Sequence, residues 1–429
     1  MRVMVRSFGC STNFADGAVL EGCLEEAGIK KADSIASADV IVLNTCAVKG
    51  PTENRMIETA KRIPLGKKLI ITGCLPLVNF ERLQREVSFN GVTGPAAGSK
   101  IVELVKQVSR GETVMDLENV TEDLPSLSLP RVMPSRIIDI IPVSYGCLGS
   151  CTYCCVTAAR GRLRSYDPPD IESRVANDIK SGFREFWITS QDTACYGRDK
   201  KTNLAVLLRA LCKTEADYRI RVGMMTPNNV FDILDDLAAA FADDHVFKFI
   251  HLPVQSGDDD VLTAMRRFYS VEEFETIVET FRANFPDITL ATDVICGFPG
   301  ETEDAFRRTL QLMERVKPDI VNVSKFFARP KTLATKMLEN SVPLSTIKQR
   351  SIRATRAAKR LALENNRRWA GWTGQILLDE KGKVPGSLIG RNDSYKPVAI
   401  KASPESLGKS VSVKIVKPFP TYLKGTTIR

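Results

Sequence analysis

Three cysteines lie within one short segment, SYGCLGSCTYCC, where Cys147, Cys151 and Cys154 follow a C-x3-C-x2-C spacing. A cubane iron–sulfur cluster takes one thiolate for each iron when the protein ligates it fully. Three close thiolates without a fourth at matching spacing predict a cluster with one open iron, which can hold a small molecule by its amine and carboxylate. Zinc is the alternative, but a structural zinc site is closed by four ligands. Cys155 is too crowded against Cys154 to be the fourth ligand, so the sequence favours the cluster.

The aromatic residue Tyr153 stands directly before the third cysteine of this segment. With this residue, the spacing resembles the cluster loop of the radical-SAM superfamily. The resemblance implies that the open iron binds S-adenosylmethionine (SAM), a cofactor for radical chemistry, and that Tyr153 lies beside the cofactor.

Three further cysteines each follow a predicted strand of the N-terminal region. Cys10 follows RVMVRSF, Cys46 follows DVIVLN and Cys74 follows KLIITG. The ends of neighbouring parallel strands lie side by side at one edge of a sheet, so these thiolates are expected to converge there. A buried cysteine is often only a small hydrophobic residue, but three at equivalent strand ends favour a second cluster, again with an open iron. The cysteines that lack such an arrangement are predicted to be structural: Cys23, Cys195, Cys212 and Cys296.

Two consecutive α/β units are predicted to position these cysteines. Residues 1–108 alternate buried strands with amphipathic segments, which predicts a small doubly wound α/β domain. Residues 109–136 are rich in proline, serine and acid, which predicts a linker. Residues 137–365 contain six strand–helix repeats, which predicts a partial (β/α)6 barrel with a basic helix at its end. The cysteine loop follows the first barrel strand, and the chemistry of such barrels sits at the C-terminal ends of the strands.

The C-terminal region is strongly basic. Of the net charge of +9, residues 345–429 carry 18 Lys and Arg against 5 Asp and Glu, a balance of +13, which leaves about −4 on the rest. Residues 366–429 contain short strands separated by Gly, Asn-Asp and Pro, which predicts a small antiparallel β-barrel. A near-neutral enzyme body with a basic end predicts a polyanionic partner, RNA. The predicted RNA contacts are Arg353, Arg356, Lys359, Arg360, Arg391 and Lys396.

Composition limits the class of protein to which the chain can belong and its cellular environment. Its 429 residues are 43% hydrophobic and 26% charged, as in a globular protein of two or three domains. The first residues lack the apolar run of a secretory signal, and no stretch approaches the roughly 18 apolar residues of a membrane span. Eleven cysteines in such a chain favour metal ligation in a reducing cytoplasm over disulfide bonds.

Eight segments carry a more specific resemblance along essentially the whole chain. In order they are GCSTN, LNTCAV, GCLP, GCLGSCTYC, TSQDTACYGRD, HLPVQSGDDDVLTAMRR, ATDVICGFPGETEDAF and FARPKTLATKM. They resemble the methylthiotransferase family, which implies an N-terminal cluster domain, a radical-SAM barrel and a C-terminal RNA-binding TRAM domain. ARGRLRSY, QDTACYGRD and ATDVICGFPGET are most similar to the archaeal and eukaryotic branch. That branch implies methylthiolation of N6-threonylcarbamoyladenosine at position 37 of tRNA.

The resemblance also implies cofactors, partners and a reaction. Two [4Fe–4S] clusters and two SAM molecules are implied, with a flavodoxin- or ferredoxin-type electron donor and a sulfur donor. The loop cluster would cleave one SAM to methionine and a 5′-deoxyadenosyl radical, which takes hydrogen from C2 of the adenine. The N-terminal cluster would present sulfur, methylated by a second SAM, at its open iron. Simple radical-SAM enzymes need only one cluster, so the second one distinguishes methylthiotransfer from other radical chemistry.

Four polar residues that follow barrel strands are implied by the resemblance to line the SAM pocket: Gln191, Asp192, Gln255 and Glu301. For each of them, a polar cap of its own loop is an equal alternative. His245 and His251 are the only histidines, and they are predicted to be structural because no acid–base triad includes them. Trp369 and Trp372 could stack on bases, but packing of the small barrel is favoured.

Two other classes of function stay open on the residues alone. A non-enzymatic RNA-binding protein with closed metal sites would explain the basic C-terminal region, but not a six-repeat barrel with an open-iron loop. A methylthiotransferase acting on another tRNA adenosine, isopentenyladenosine, or on a ribosomal protein would share both clusters. The balance of +13 at the C-terminal end favours RNA over protein as the substrate.

Overall fold

The computed structural model describes residues 1–47, 50–118, 121–122 and 124–428, which form three units. The strands of the N-terminal unit are β1 Arg2–Ser7, β2 Lys30–Lys31, β3 Val40–Thr45, β4 Lys68–Gly73, β5 Gly91–Thr93 and β6 Val114–Asp116. They form one parallel sheet in the order β2-β1-β3-β4-β5-β6. The helices between them are α1 Ser11–Glu26, α2 Gly50–Lys61, α3 Leu75–Val78, α4 Phe80–Glu86 and α5 Lys100–Ser109.

Two apolar cores cover the two faces of this sheet. Side chains alternate along β3, so Ile41 and Leu43 pack into one core while Val40 and Val42 pack into the other. A parallel sheet buried on both faces by crossover helices is the doubly wound arrangement that the sequence predicts. The sheet extends into the range predicted to be a linker, because β6 pairs with β5 as its last strand.

The central unit is built on six parallel strands: β7 Ile138–Pro142, β10 Glu185–Thr189, β11 Arg219–Val222, β12 Phe249–His251, β13 Thr289–Cys296 and β14 Ile320–Lys325. A small antiparallel pair, β8 Ser144–Tyr145 and β9 Arg164–Ser165, lies after the first of them. Single bridges of Ile220 with Val246 and of Met224 with His251 join the sheet β7-β10-β11 to the sheet β12-β13-β14. The result is an open barrel of six strands, which confirms the predicted partial (β/α)6 barrel.

Helices alternate with the barrel strands and pack against them in the largest apolar core of the described chain. They are α6 Val156–Arg160, α7 Pro168–Lys180, α8 Leu204–Leu211, α9 Pro227–Phe231, α10 Leu234–Phe241, α11 Asp259–Ala264, α12 Val271–Asn284 and α13 Glu303–Val316. Short 3-10 helices span Thr193–Cys195, Leu333–Asn340 and Pro404–Ser406. The basic helix α14, Leu344–Arg367, packs on β14 and α13. Of the helices in the described residues, none is long and apolar enough to cross a membrane.

The C-terminal unit is a closed five-stranded barrel. Its strands are β15 Thr373–Lys381, β16 Ser387–Arg391, β17 Pro397–Lys401, β18 Ser410–Pro418 and β19 Leu423–Thr427. The barrel order is β15-β16-β17-β19-β18, and every pair is antiparallel except the short parallel pair of β17 with β19. Trp369 lies in the barrel core, and Trp372 packs edge-on against it with ring centroids 5.6 Å apart. Both rings therefore pack the small barrel, as the sequence favours.

Buried polar contacts attach the C-terminal barrel to the central unit. Lys396 donates from Nζ to Oδ1 of Asp319 at 2.6 Å, and both side chains are almost fully buried. Tyr395 donates from its hydroxyl to Oε1 of Glu185 at 3.0 Å. Asp379 lies beside Glu185, and burial together with this second carboxylate raises the pKa of Asp379 to about 8. The contact therefore brings two acids together out of water.

Replacing Asp379 by Asn is expected to flatten the pH dependence of stability. Because folding raises the pKa of Asp379, its proton stabilises the fold at low pH, and this contribution is lost as pH rises from about 4 through about 8. The free energy of unfolding of the wild type should fall over that range by up to roughly 1.4 kcal/mol per pH unit, and Asp379→Asn should reduce this slope in thermal unfolding measured as a function of pH.

Arg391, Glu380 and Glu185 also act on Asp379, and Glu380 is the more exposed acid of this group. Glu380→Gln is therefore the control, because it removes a nearby charge and leaves the buried acid pair in place. The assignment fails if Asp379→Asn and Glu380→Gln change the slope by the same amount.

Candidate functional site

The segment between β8 and α6 holds three cysteines, here called the loop triad: Cys147, Cys151 and Cys154. The chain enters this segment through Gly146, whose φ of +78° is in the left-handed region. A Cβ atom at this position would lie 2.0 Å from the carbonyl oxygen of Arg162. Glycine is therefore required where the chain turns from the first barrel strand into the cysteines.

Hydrogen-bond donors face the sulfur atoms of the loop triad. The backbone N–H groups of Gly149 and Val156 lie 3.2 Å and 3.5 Å from the sulfurs of the first and third cysteines. The buried Arg267 donates from Nη1 to Sγ of Cys151 at 3.4 Å. Donors at a thiolate stabilise its charge and help to set the potential of a cluster that it binds.

The middle of the loop is tied to the barrel by Thr152. Its backbone N–H donates to the carbonyl of Met265 at 3.0 Å, and its Oγ1 donates to the carbonyl of Ala264 at 3.0 Å. The next residue, Tyr153, packs edge-on against Phe298 with ring centroids 6.4 Å apart. Tyr153, predicted to lie beside SAM, thus stands in an aromatic wall that follows β13.

The strands β1, β3 and β4 end next to three cysteines, here called the N-terminal triad: Cys10, Cys46 and Cys74. Asn13, in the first turn of α1, donates from Nδ2 to the carbonyls of Phe8 at 2.6 Å and Thr45 at 3.1 Å. The N–H of Cys74 donates to the same carbonyl of Thr45 at 2.9 Å. One buried amide and one carbonyl therefore hold the three loops together.

Gly9 allows two of these loops to touch. Its φ is +108°, and a Cβ atom there would lie 2.4 Å from Cβ and 2.7 Å from Sγ of Cys46. The close approach brings the segment of Cys10 directly against Cys46. The structure thus gathers the three strand-end cysteines at one edge of the sheet.

Both triads suit a cluster better than a single metal ion. A zinc ion with Zn–S bonds of about 2.3 Å would draw its thiolates to within about 4 Å of one another. In the described residues, neither triad has all three sulfurs within 4.8 Å of one another, which suits thiolates that bind different irons. Burial raises the pKa of Cys147 to about 11 and of Cys74 to about 12, so both thiols need the positive charge of iron to ionise at neutral pH.

A buried network, here called the interface network, joins α1 of the N-terminal unit to the loop-triad segment. Arg160, the last residue of α6, donates from Nη2 to Oδ2 of Asp16 at 2.6 Å and to Oδ1 of Asn13 at 3.0 Å. Tyr145, before the loop triad, donates from its hydroxyl to Oδ1 of Asp16 at 2.5 Å. All four side chains are buried. The two triads therefore belong to elements that are fixed to each other.

Gln191 makes a second connection between these elements. Its Oε1 accepts a hydrogen bond from the N–H of Gly146 at 2.7 Å, and its Nε2 donates to Oγ1 of Thr12 at 3.4 Å. Gly146 precedes Cys147, and Thr12 stands two residues after Cys10. Gln191, predicted to line the SAM pocket, thus spans the gap between the segments of the two triads.

Asp192 and Glu301, also predicted to line the SAM pocket, have the contacts of loop caps. Asp192 accepts hydrogen bonds from the N–H of Thr226 at 2.9 Å and from Nδ2 of Asn229 at 2.7 Å. Glu301 accepts from Nη1 of Arg350 at 2.7 Å. Burial raises the pKa of both acids, and these donors oppose the rise. Both residues therefore cap their own loops, which is the alternative given for them above.

Gln255 and His251 lie at the end of β12. Gln255 has a φ of +69°, a left-handed conformation that strains a residue with a side chain, and its N–H donates to the carbonyl of Asp293 at 2.8 Å. Nε2 of His251 lies 2.8 Å from Oδ2 of the same aspartate. Strain of this kind clusters at functional sites, which keeps Gln255 a candidate for SAM contact.

The other histidine belongs to a polar group at the N-terminal ends of β11 and β12, away from the cysteine loop. Cys212, Asp243 and His245 have their ligand atoms within 4.8 Å of one another. The His245 ring stacks on Tyr218 with centroids 4.3 Å apart, and its nitrogens lie 2.8 Å from Asp243 and 3.1 Å from the carbonyl of Ala216. These contacts are those of a packed histidine with both nitrogens engaged.

The predicted RNA contacts on α14 divide into two pairs. Arg356 and Lys359 are exposed and make no ion pair within the described residues. Arg353 and Arg360 are also exposed, but each pairs with a glutamate of α13. The first pair is therefore better placed to bind an external phosphate.

The two predicted RNA contacts of the C-terminal barrel are engaged within the protein. Arg391 donates from Nε to Oδ2 of Asp379 at 2.9 Å, and its side chain is mostly buried. Lys396 is the buried partner of Asp319 described above. Arg391 pairs within the C-terminal barrel and Lys396 pairs with the central unit, which leaves neither free for a phosphate.

A basic surface that is not evident from the sequence lies on β18 and β19, here called the lysine hairpin. Lys417 and Lys424 are exposed and lie directly opposite each other in register. Like charges in this position destabilise a strand pair, so an anion between them would relieve the repulsion. In the turn, Phe419 and Tyr422 stack with centroids 4.6 Å apart and planes 9° apart.

Family models match the three units in chain order. The model described as uncharacterized protein family UPF0004 matches residues 2–94, the radical SAM superfamily matches 141–313, and the TRAM domain matches 370–428. Among solved structures, the radical S-adenosylmethionine methyltransferase TsrM from Kitasatospora setae gives a TM-score of 0.56 at 14% identity, covering 92% of this chain and 81% of that one. This likeness shows the fold. Fold and cysteine loop together define a radical-SAM enzyme with a TRAM domain.

Full-length relatives narrow the class to one family. The "probable threonylcarbamoyladenosine tRNA methylthiotransferase" of Pyrococcus horikoshii is 39% identical over 431 residues, covering 100% of both chains. The threonylcarbamoyladenosine tRNA methylthiotransferase of Homo sapiens is 32% identical over 434 residues, covering 100% of this chain and 74% of the human one. The chain belongs to the threonylcarbamoyladenosine tRNA methylthiotransferase family.

Replacing Arg267 by Met is expected to lower the reduction potential of a cluster bound by the loop triad. The change removes a positive charge and a hydrogen bond from the sulfur of Cys151. Tyr269 also donates to the carbonyl of Pro253 that Arg267 contacts, so that carbonyl keeps a partner. A shift of about 59 mV would change the ratio of reduced to oxidised cluster tenfold, and an EPR-monitored redox titration measures it.

The control for this prediction is Tyr269→Phe, which removes the hydroxyl beside the guanidinium and keeps the charge near Cys151. We expect its potential to stay close to that of the wild type. An equal potential in Arg267→Met and the wild type would rule out control of the loop cluster by Arg267.

Proposed function

We propose that this protein transfers a methylthio group to C2 of N6-threonylcarbamoyladenosine at position 37 of tRNA. Similarity over the whole of this chain to proteins named for this activity, from Pyrococcus horikoshii to Homo sapiens, supports the substrate. A radical-SAM barrel with a TRAM domain supports the chemistry and the RNA partner.

The observation that carries the proposal is the meeting of two three-cysteine sites across one interface. Radical formation from SAM needs one cluster with an open iron, whereas delivery of sulfur needs a second place to hold it. Gln191 reaches from the backbone beside Cys147 to α1 beside Cys10. Two such sites held by shared contacts support an enzyme that forms a radical and supplies sulfur in one pocket.

In this proposal the loop triad and the N-terminal triad each hold a [4Fe–4S] cluster, which supplies SAM cleavage at the first site and sulfur at the second. Arg267 and the loop N–H groups stabilise the thiolates of the first site. Tyr153 and Gln255 are the proposed SAM contacts. The side chains of Gln191, Asp192 and Glu301 are engaged by neighbouring groups of the protein. The aromatic wall of Tyr153 and Phe298 would exclude water from the radical.

The reaction requires partners that the chain itself does not contain. We propose a flavodoxin- or ferredoxin-type protein as the electron donor, because SAM cleavage consumes an electron. A sulfur donor must restore the N-terminal site after each transfer. A cytoplasmic setting is proposed because tRNA is the substrate and exposed thiols such as Cys10 require a reducing environment.

The proposed tRNA surface combines α14 with the C-terminal barrel. Arg356 and Lys359 on the helix and Lys417 and Lys424 on the lysine hairpin are exposed cations. Phosphate contacts of this kind supply affinity without reading sequence. The stacked aromatic rings in the hairpin turn offer an additional flat surface for a base.

Alanine at one cysteine of each triad should separate the two half-reactions. Cys151→Ala is expected to abolish SAM cleavage, because the loop cluster loses a ligand. Cys46→Ala should keep SAM cleavage within about a factor of ten and remove methylthiolation. Each variant should lose about half of the iron of the reconstituted wild type. The measurements are 5′-deoxyadenosine formation, iron content and mass spectrometry of tRNA nucleosides.

Cys23→Ala is the control, because Cys23 is buried in the core of the N-terminal unit away from both triads. It should retain both activities and the full iron content. SAM cleavage by Cys151→Ala would refute the loop assignment. Nucleosides from cells that lack the protein test the substrate: accumulation of unmodified isopentenyladenosine instead of threonylcarbamoyladenosine would refute it.

Removing the lysine hairpin charges should weaken tRNA binding by an electrostatic mechanism. Lys417→Ala with Lys424→Ala is expected to lower the slope of log K against log salt by about 2, because two phosphate contacts are lost. Filter binding with tRNA over a salt series measures this slope. The matched control, Lys106→Ala with Lys213→Ala, removes two exposed cations from other elements and should leave the slope unchanged. Equal slopes for both double variants would place the tRNA surface elsewhere.

A further inference from the structure

The inner face of the central barrel is partly open to solvent, although its outer face packs on the helices. Ile188, Val222 and Val294 point outward and are buried in the largest apolar core. Successive side chains along a strand alternate between its two faces, so the neighbours of these residues line the lumen of the barrel. Half-buried or exposed residues of this inner face include Trp187, Arg221, His251, Asp293 and Asn322. A substrate group can therefore enter the lumen.

Arg221 is held in the lumen by three aromatic rings. Its guanidinium carbon lies 5.1 Å from the ring centroid of Trp187, 4.8 Å from that of Phe249 and 5.3 Å from that of Tyr395. Ring contacts of this kind hold a guanidinium by its face and leave the N–H groups at its edge unused. Tyr395 comes from the C-terminal barrel and packs on Phe249, which closes the lower end of the lumen. The cation is thus preorganised at the floor of the lumen.

No acid neutralises Arg221 within the part of the chain that the structure describes. The guanidinium makes no ion pair or hydrogen bond there, and its Nε is buried without a partner. The acid of the neighbouring strand, Glu185, accepts instead from Nε1 of Trp187 at 2.5 Å and from the hydroxyl of Tyr395 at 3.0 Å. Asp293 on β13 lies 2.8 Å from a histidine nitrogen. A half-buried cation without a counter-ion is costly unless an anion reaches it.

The register of the strands places Arg221 below the loop triad. Trp187 pairs with Arg221 on one side and with Ile140 on the other. Ile140 stands two residues before the end of β7 at Pro142, and the loop triad follows that strand. Because a strand rises about 3.3 Å per residue, Arg221 lies roughly 7 Å below this strand end. A substituent on a base that faces the SAM site would extend from there into the lumen.

The two candidate adenosines differ in the charge of that substituent. Threonylcarbamoyladenosine carries a free carboxylate on the group attached to N6, whereas isopentenyladenosine carries an apolar chain there. A guanidinium binds a carboxylate by two parallel hydrogen bonds, but an apolar chain would leave the guanidinium buried and unpaired. Arg221 therefore fits the first nucleoside and disfavours the second.

We propose that Arg221 binds the threonyl carboxylate of N6-threonylcarbamoyladenosine and thereby selects this adenosine as the substrate. The inference rests on the proposed function, which supplies the substrate and its approach to the SAM site. Trp187 and Phe249 hold the guanidinium in place for this contact. Since Tyr395 completes the set of rings, the C-terminal barrel contributes to selection of the base as well as to binding of the RNA.

The test compares two ligands that differ only in the carboxylate. Anticodon stem–loops of one sequence carry either threonylcarbamoyladenosine or its methyl ester at position 37. The reconstituted wild-type enzyme should bind the acid about tenfold or more tightly than the ester, because the ester lacks the charge that pairs with the guanidinium. Arg221→Met should bind both stem–loops with the Kd of the ester. Fluorescence anisotropy measures each Kd.

The variants of Arg221 are matched by a control on the same strand. Arg221→Met strands no acid, so its iron content and thermal unfolding should equal those of the wild type. Arg221→Gln is the second variant and should lose the preference for the acid in the same way. Arg219→Met is the control, because the charge of Arg219 is already balanced by Asp217 and Asp393, each at 3.7 Å. It should keep the preference, and equal loss in Arg219→Met would overturn the role of Arg221.

Other anions that Arg221 could bind give different results. Equal weakening of both stem–loops in Arg221→Met would assign Arg221 to a phosphate of the RNA. A raised KM for SAM, in SAM cleavage without RNA, would assign it to the carboxylate of SAM. Either result would overturn the inference.

The wild-type enzyme separates this inference from the proposed function. If it forms the methylthio product from the acid stem–loop but binds acid and ester equally, the role of Arg221 is overturned and methylthiotransfer stands. If it forms no methylthio product from the acid stem–loop, the proposed function itself is contradicted.

Discussion

The buried ion pair of Arg160 with Asp16 determines how the two cysteine sites face each other. Arg160 ends the helix that follows the loop triad, and Asp16 lies on the helix that begins after Cys10. Both side chains are almost fully excluded from water, so separating the units would expose or strand two charges. Such a pair adds little stability over apolar packing, but it strongly disfavours any arrangement in which only one partner is buried.

Asn13 connects this ion pair to the loops of the N-terminal triad. Its Oδ1 accepts from Arg160, while its Nδ2 holds the carbonyls of Phe8 and Thr45 beside the first two strand-end cysteines. Displacing the guanidinium would therefore disturb the loops of Cys10 and Cys46 together. The GCSTN segment thus contains both a cysteine of the N-terminal triad and the amide that holds the loops of the triad together.

The sequence predicts the two groups of cysteines, the six barrel strands and the C-terminal barrel, because each of them is recognised by a local sequence pattern. Strand periodicity and short cysteine spacing are visible within a few residues. The ion pairs of Lys396 and Arg391 could not be predicted from the sequence, because their partners lie 77 and 12 residues away. The same holds for the lysine hairpin, where the repulsion of Lys417 and Lys424 arises from register and not from spacing along the chain.

The basic residues of the C-terminal region thus have two different roles, which the amino-acid composition alone does not distinguish. Some neutralise buried acids at the contact with the barrel, as Lys396 does for Asp319, and these fix the orientation of the C-terminal unit. Others stay exposed on α14 and the lysine hairpin, where a phosphate backbone can reach them. Because Lys396 anchors the barrel that carries the lysine hairpin, the positive charge of this region both holds the C-terminal unit on the central unit and, in the proposed function, contributes affinity for RNA.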